Sequence, residues 1–490
     1  MTEALLRGDN RPNTRWATTI EGRERDMDEL RDALHRTADL IADYRDGLAE
    51  SPVAARSSRA DVRRALESPL PDDPAPIRVV LDELDSAVGP GLMASAGPRY
   101  FGFVVGGSSD AGLAADLLTS GWDQNAFNEA LSPAAIAVED VAGTWLKELL
   151  HLPTGASVGF VTGGQGANTV GLTAARWHVL DKHGWDVGRD GLREAPEVRV
   201  FAGAERHATI DRTVRLLGLG ESAIHEIPAT SNGAMNADVL ASLLESTPAS
   251  PTIVCAQAGN VNTGAFDDLT AITTAARAAG AWVHVDGAFG LWAAASPRTR
   301  HLVAGIELAD SWACDGHKWL NVPNDAGYAF CAHPDVHATA LAYTAAYLTG
   351  QVAGREYGGG DFVLESSRRA RGFATWATLR SLGRTGVAAL VERCCALAKR
   401  FAMGLDAIDG VEIANDVVLN QVLVRVGDEA HTNRVERLVQ KDGTCWLGAT
   451  TWRGERLLRI SVSNWSTTEA DVDGSIAAIA RAHVRARAES

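Results

Sequence analysis

Of the 46 basic residues in this 490-residue chain only five are lysines, so any chemistry that needs a primary side-chain amine must use one of them. Lys147 in TWLKELL and Lys399 in LAKRF fall on polar faces of helical patterns, while Lys182 in LDKHGW and Lys441 in QKDG fall in polar turns. Lys318 differs. It lies in DSWACDGHKWLNVP between His317 and Trp319, just after an apparent buried strand, and in open α/β sheets ligands bind at the carboxyl ends of strands. Desolvation at such a place disfavours an ammonium ion and leaves an amine able to attack an aldehyde as a Schiff base. The plainer alternative is a lysine whose stem lies along an aromatic ring.

Three further groups bear on that choice. Asp286 closes the run AWVHVDG, which reads as a central strand; a carboxylate there needs a cation or an N-capping role. A protonated pyridine nitrogen about 3 Å away would supply on the order of 5 kcal/mol at an effective dielectric near 20. In VGFVTGGQGANTVG a strand runs into small residues and then a helix, so the backbone N–H groups at Gly164, Gln165 and Gly166 can approach a phosphate. The same TGG-x-G pattern opens dinucleotide folds, but no P-loop lysine follows. His207, in RVFAGAERHATIDRT, stands after a strand and before a helix, where an imidazole can stack on a ring or cap the helix. An aldehyde-reactive amine, an acid for a ring nitrogen and an anion cradle are what pyridoxal 5′-phosphate (PLP) requires.

These residues need a scaffold that brings strand ends together. Residues 1–90 read as an N-terminal helical arm, with helices expected at 24–48 and 77–88 around the break SPLPDDPAP. From about 91 onward short apolar runs alternate with Ala-rich helical patterns, the signature of parallel strands joined by crossover helices. Strands are expected at 158–162, 198–203, 252–257, 281–287, 311–315 and 326–331, with helices at 166–180 and 269–280. The Gly-punctuated stretch 344–362 reads as a mobile loop of a large domain covering 91–395. Residues 396–490, with apolar segments at 418–426 and 455–464, read as a small C-terminal α/β domain.

Composition narrows the partners. A formal net charge of −16 repels nucleic acid and anionic membranes, and neither an export segment nor a run of eighteen apolar residues is visible, so a cytoplasmic enzyme acting on a small molecule is expected. The six cysteines lack C-x-x-C spacing and read as reduced, buried thiols, with no metal site implied.

The segments TGGQGAN (162–168), ERHATIDRT (205–213), AGNVNTGAFDDL (258–269), HVDGAF (284–289) and DSWACDGHKW (310–319), in that order, resemble the group II PLP-dependent amino-acid decarboxylases. The likeness runs from about 78 to 385. It implies a fold type I α/β architecture, with a mostly parallel central sheet flanked by helices, and a homodimer with its sites at the subunit interface. It also implies that Lys318 binds the cofactor covalently, Asp286 pairs with the pyridine nitrogen, and His207 stacks on the ring. Gly164, Gln165 and Gly166 would hold the phosphate, with His317 beside it and Ala288 under the ring. Tyr347, in AAYLTGQ, matches a mobile-loop tyrosine that protonates the substrate's α-carbon, where family members that produce aldehydes commonly carry phenylalanine. Arg371 matches an arginine whose role stays open. The implied reaction converts an L-amino acid to its amine and CO₂. Aldehyde synthesis, carbon–carbon lysis and transamination on the same scaffold are the alternatives, followed by a non-catalytic binding protein.

The chain departs from the family pattern in three places. Asn260 and Val261 replace a threonine pair beneath the cofactor. Asp315 stands where aromatic decarboxylases often carry asparagine near the phosphate, and is expected to pair with a backbone amide or His317. Val104 and Val105 replace bulkier residues of the side-chain pocket, to which Phe103, Trp122, Gln124, Asn125 and Phe127 are also assigned.

Overall fold

Seven of the β-branched and aromatic runs form one sheet. In the computed structural model, which describes residues 20–246, 250–342 and 357–489, its strands are β1 (Ser157–Val161), β2 (Arg199–Gly203), β3 (Ile224–Ile227), β4 (Thr252–Gln257), β5 (Trp282–Asp286), β6 (Ser311–Asp315) and β7 (Gly327–Cys331). The spatial order is β1-β7-β6-β5-β4-β2-β3. Strands β3, β2, β4, β5 and β6 pair in parallel, whereas β7 runs antiparallel to both its neighbours. Every residue of β4, β5, β6 and β7 is buried, the pattern of strands covered on both faces by crossover helices. Strand β3, IHEI, was not anticipated. It is an edge strand with His225 and Glu226 exposed, so it lacks the apolar run that marked the others.

The helix Gly164–Asp181 follows β1 and buries Ala167, Asn168, Val170, Gly171, Ala174 and Ala175. Small residues let it lie close to the sheet: a Cβ on Gly171 would fall 2.7 Å from Nδ1 of His284 on β5. Beyond β7, the long helix Gly372–Asp406 bends at Gly383, whose φ of +62° a side chain would disfavour. This helix runs through the boundary expected at 395. It leads to an antiparallel sheet of β8 (Glu412–Ile413), β9 (Gln421–Arg425), β10 (Gly448–Trp452) and β11 (Glu455–Ser461), in the order β10-β11-β9-β8.

By contact the chain divides into Met1–Ala94 and Ser95–Ser490. The first unit holds the helices Ile20–Gly47, Arg59–Leu66 and Ile77–Val88. The second of these opens with a reciprocal Ser58–Asp61 capping box but buries no residue, so nothing in its apolar pattern announces it. Both sheets belong to the second unit. All six cysteines are free and buried, and among the described residues no helix is long and apolar enough to cross a membrane.

Candidate active site

The carboxyl ends of β5 and β6 and the amino end of helix Gly164–Asp181 meet, and most of the chemistry-bearing residues gather there. Asp286, the last residue of β5, is buried. Its Oδ1 accepts the Ala288 N–H at 3.1 Å, and its Oδ2 accepts from Asn168 Nδ2 at 3.0 Å and Thr209 Oγ1 at 3.4 Å. The bond to Ala288 is the local turn contact of a strand-end acid. The bonds to Asn168 and Thr209 tie it across the site to two helices. Ala288 also accepts the Asp315 N–H at 2.9 Å, which joins the ends of the two strands.

Lys318 follows β6 by three residues, and its Nζ lies 2.9 Å from Oδ2 of Asp315. The Lys318 side chain keeps 22% exposure, and its immediate partner is a carboxylate with 2%. Asp315 does accept from a backbone amide, Gly164 N–H to Oδ1 at 2.5 Å, and His317 Nε2 stands 3.5 Å from the same oxygen. His317 Nδ1 accepts the Ala326 N–H at 3.2 Å, and burial lowers its pKa.

The glycine-rich turn needs its missing side chains. A Cβ on Gly163 would sit 2.7 Å from the His317 ring, and one on Gly164 would sit 2.9 Å from Asp315 Oδ2 and 3.5 Å from the Ala288 methyl. Since the first intrahelical bond runs from Ala167 N–H to Gly163 O, the N–H groups of Gly164, Gln165 and Gly166 all belong to the open first turn. Asp315 uses the first of them. The Gln165 side chain turns away to Thr213 Oγ1 at 2.9 Å.

His207 caps the helix Ala208–Leu216, as the plainer reading of the sequence allowed, and it also faces the site. Its Nδ1 accepts the Thr209 N–H at 3.3 Å and lies 2.9 Å from Thr209 Oγ1. Burial lowers its pKa, opposed by the nearby charge of Asp286. Lys318 and Arg459 lie in the same electrostatic neighbourhood. Arg459, on β11, is buried enough for its own pKa to be lowered and donates to Val261 O at 3.4 Å. Sequence reasoning missed Arg459, Asn168, Thr209 and His284. The two-residue spacing of His284 and Asp286, which puts both on one face of β5, was a usable signal for the last.

The departures resolve unevenly. Asn260 is fully buried and braces its own loop, accepting the Asn262 and Thr263 N–H groups and donating to Gly233 O. In the segment assigned to the side-chain pocket, a Cβ on Gly106 would meet the Lys318 carbonyl oxygen, so this loop lies directly against the lysine. Phe103 and Val104 both adopt positive φ, +53° and +58°, a conformation non-glycine residues rarely hold. Phe103 is 65% exposed and stacks on Trp446, which stacks in turn on Tyr100. Asn125 and Phe127 instead brace 358–369: Asn125 accepts the Arg368 N–H, and Phe127 packs where a Cβ of Gly360 would go. Gln124 bonds Trp122 O and Ser132, and Trp122 is half exposed against Phe373. Arg371 pairs with Asp325 at 2.8 Å. Tyr347 lies outside the described residues.

Residues 60–426 match the model of the pyridoxal-dependent decarboxylase conserved domain, three quarters of the chain. The chain belongs to the pyridoxal-dependent decarboxylase family. It is 29% identical over 478 residues to tryptophan decarboxylase 1 of Oryza sativa subsp. japonica, covering 89% of this chain and 90% of that one. It is 28% identical over 391 residues to phenylacetaldehyde synthase of a Rosa hybrid cultivar, covering 77% and 75%. Among solved structures, Oryza sativa TDC with PLP and tryptamine superposes with a TM-score of 0.87 at 26% identity, covering 94% of this chain and 98% of that one. Membership makes this a PLP-dependent amino-acid decarboxylase on the fold type I scaffold. The residues present fit the cofactor: an amine on Lys318, a buried acid on Asp286, and a helix start at which Gly163 and Gly164 leave no Cβ atoms beside His317 and Ala288.

Proposed function

We propose that the protein decarboxylates an aromatic L-amino acid to its amine, using Lys318, Asp286, His207 and Tyr347. The observation that carries the assignment is the convergence of Asp286, Ala288, Asp315 and Lys318 at the ends of two adjacent strands, against the open turn Gly164–Gly166. The aromatic side chain is supported by the exposed Phe103 ring, stacked on Trp446, on the loop that touches Lys318. Relatives named for tryptophan and tyrosine decarboxylation support it from outside.

Lys318 would hold the cofactor, Gln165 and Gly166 with His317 its phosphate, Ala288 one face of its ring, and Asp286 its ring nitrogen. When bound, PLP supplies an electron sink for the pair released as CO₂ departs. Asp286 favours a proton on the ring nitrogen through its charge, and its hydrogen bonds fix where that charge sits. His207, with Nδ1 held against Thr209, would turn the other edge of its imidazole to the cofactor. The charge of Arg459 beside His207 suits a substrate carboxylate. Tyr347, which lies outside the described residues, would return a proton to the α-carbon. The working form on this reading is a cytoplasmic homodimer, which accords with six reduced thiols.

A second reading, aldehyde production, is favoured by the similarity to phenylacetaldehyde synthase. Incubation with each proteinogenic amino acid, with CO₂, amine, aldehyde and ammonia measured together, tests both readings. Amine and CO₂ in equal amounts from tryptophan, tyrosine or phenylalanine support the proposal. Turnover confined to non-aromatic substrates, or aldehyde with ammonia as the main products, overturns it.

A further inference from the structure

Behind Asp286 a chain of buried hydrogen bonds runs away from the site, and beyond Asn168 its members have no part in the reading above. Trp282 Nε1 donates to Ser311 Oγ at 2.9 Å, Ser311 Oγ lies 2.8 Å from His284 Nδ1, and His284 Nε2 lies 2.9 Å from Asn168 Oδ1. Asn168 Nδ2 then reaches Asp286 Oδ2 at 3.0 Å and Thr209 Oγ1 at 3.0 Å. His284, Asn168 and Ser311 are fully buried. Trp282, His284 and Asp286 alternate along β5, Ser311 opens β6, and Asn168 lies in the helix Gly164–Asp181.

With a neutral imidazole at His284 the donors and acceptors allow one arrangement. A carboxylate only accepts, so the Asn168 amide must turn its NH₂ toward Asp286 and its carbonyl toward His284. A carbonyl oxygen also only accepts, so His284 carries its proton on Nε2, and Nδ1 takes the Ser311 hydroxyl proton. Ser311 then has a lone pair free for the Trp282 N–H. Each bond fixes the next. Neutral imidazole is the form this requires, and burial lowers the His284 pKa to about 4, against the opposing charge of Asp286. The space was made for it, since a Cβ on Gly171 would fall 2.6 Å from His284 Cε1 and 3.4 Å from Ser311 Oγ.

We propose that Asn168, His284 and Ser311 are positioning residues that lock the orientation of the Asp286 carboxylate and so set how firmly it engages the ring nitrogen. The proposal rests on the assignment of Asp286 made above. The other titratable groups near Asp286 are His207 ahead of helix Ala208–Leu216, Cys255 on β4, and Cys314 on β6 with Lys318 and Asp315 beyond it. All are left intact in the test.

The experiment titrates PLP into the full-length chain by visible absorbance and follows the balance of the chromophore's protonation forms across pH, with the melting temperature recorded in parallel. Asn168→Leu and His284→Leu each remove a link ending on a charged acceptor, so the PLP dissociation constant should rise about tenfold or more and the chromophore's titration should move. His284→Gln keeps an N–H donor for Asn168 and should stay within about threefold of the parent. If His284→Leu fails to fold, the nearly isosteric Asn168→Leu carries the comparison. Variants that melt earlier but bind PLP and titrate like the parent overturn the relay, as does His284→Gln behaving like His284→Leu. A parent chain that takes up no PLP would instead remove the reading of Asp286 itself.

Discussion

Replacing Asp286 with asparagine keeps the side chain's shape and removes its charge. In the folded chain three donors, Asn168 Nδ2, Thr209 Oγ1 and the Ala288 N–H, converge on the two carboxylate oxygens. An asparagine amide can accept through one oxygen only, so at least one donor faces an NH₂ group. The larger loss is electrostatic. A carboxylate about 3 Å from a protonated ring nitrogen contributes on the order of 5 kcal/mol at an effective dielectric near 20. Each 1.4 kcal/mol is about a factor of ten, so kcat should fall on the order of a thousandfold. The assay is CO₂ release at saturating PLP and substrate, so that weaker cofactor binding does not enter. A variant that binds PLP normally and loses less than about tenfold in kcat would refute the assignment of the electron-sink role to Asp286.

Tyr347→Phe should retain PLP and shift the product from amine toward aldehyde; an unchanged amine yield, measured beside ammonia, would take the residue out of the reaction. Arg368 and Glu139 form a bidentate pair with side chains 1% and 6% exposed. Arg368→Ala should therefore cost about 3–5 kcal/mol in urea unfolding, whereas the double change Glu139→Leu with Arg368→Met should cost far less. His284 and His337 are buried with pKa values lowered to about 4 and about 3. Unfolding lets them bind protons, so their contribution to stability is full above about pH 6.5 and lost as pH falls toward those values. Unfolding midpoints between pH 7 and 5 should fall, and His337→Gln, whose native partner is Ser157 Oγ, should flatten the dependence.

The sheet was legible where strands are buried on both faces. TIVCAQ and SWACD have apolar runs bounded by breakers, and they are β4 and β6 to the residue. The edge strand β3 and the surface helix Arg59–Leu66 bury little, so the periodicity that reveals elements was absent from both. At the site, Lys318, Asp286 and the glycine turn were readable because each stands at the end of a strand. Their partners were not. Asn168 meets Asp286 across 118 positions and reads in sequence as one more polar residue of a small-residue helix. The partner of Asp315 was half legible: an amide was expected and Gly164 supplies it, but the pairing with Lys318 needs a turn of chain that periodicity does not describe.

The most direct test is to reduce the PLP-loaded protein with borohydride, digest it and locate the modified lysine by mass. The account predicts one pyridoxyl group per chain, on the peptide containing His317, Lys318 and Trp319. Label on Lys147, Lys182, Lys399 or Lys441, or none on a chain that still turns over substrate, would contradict it.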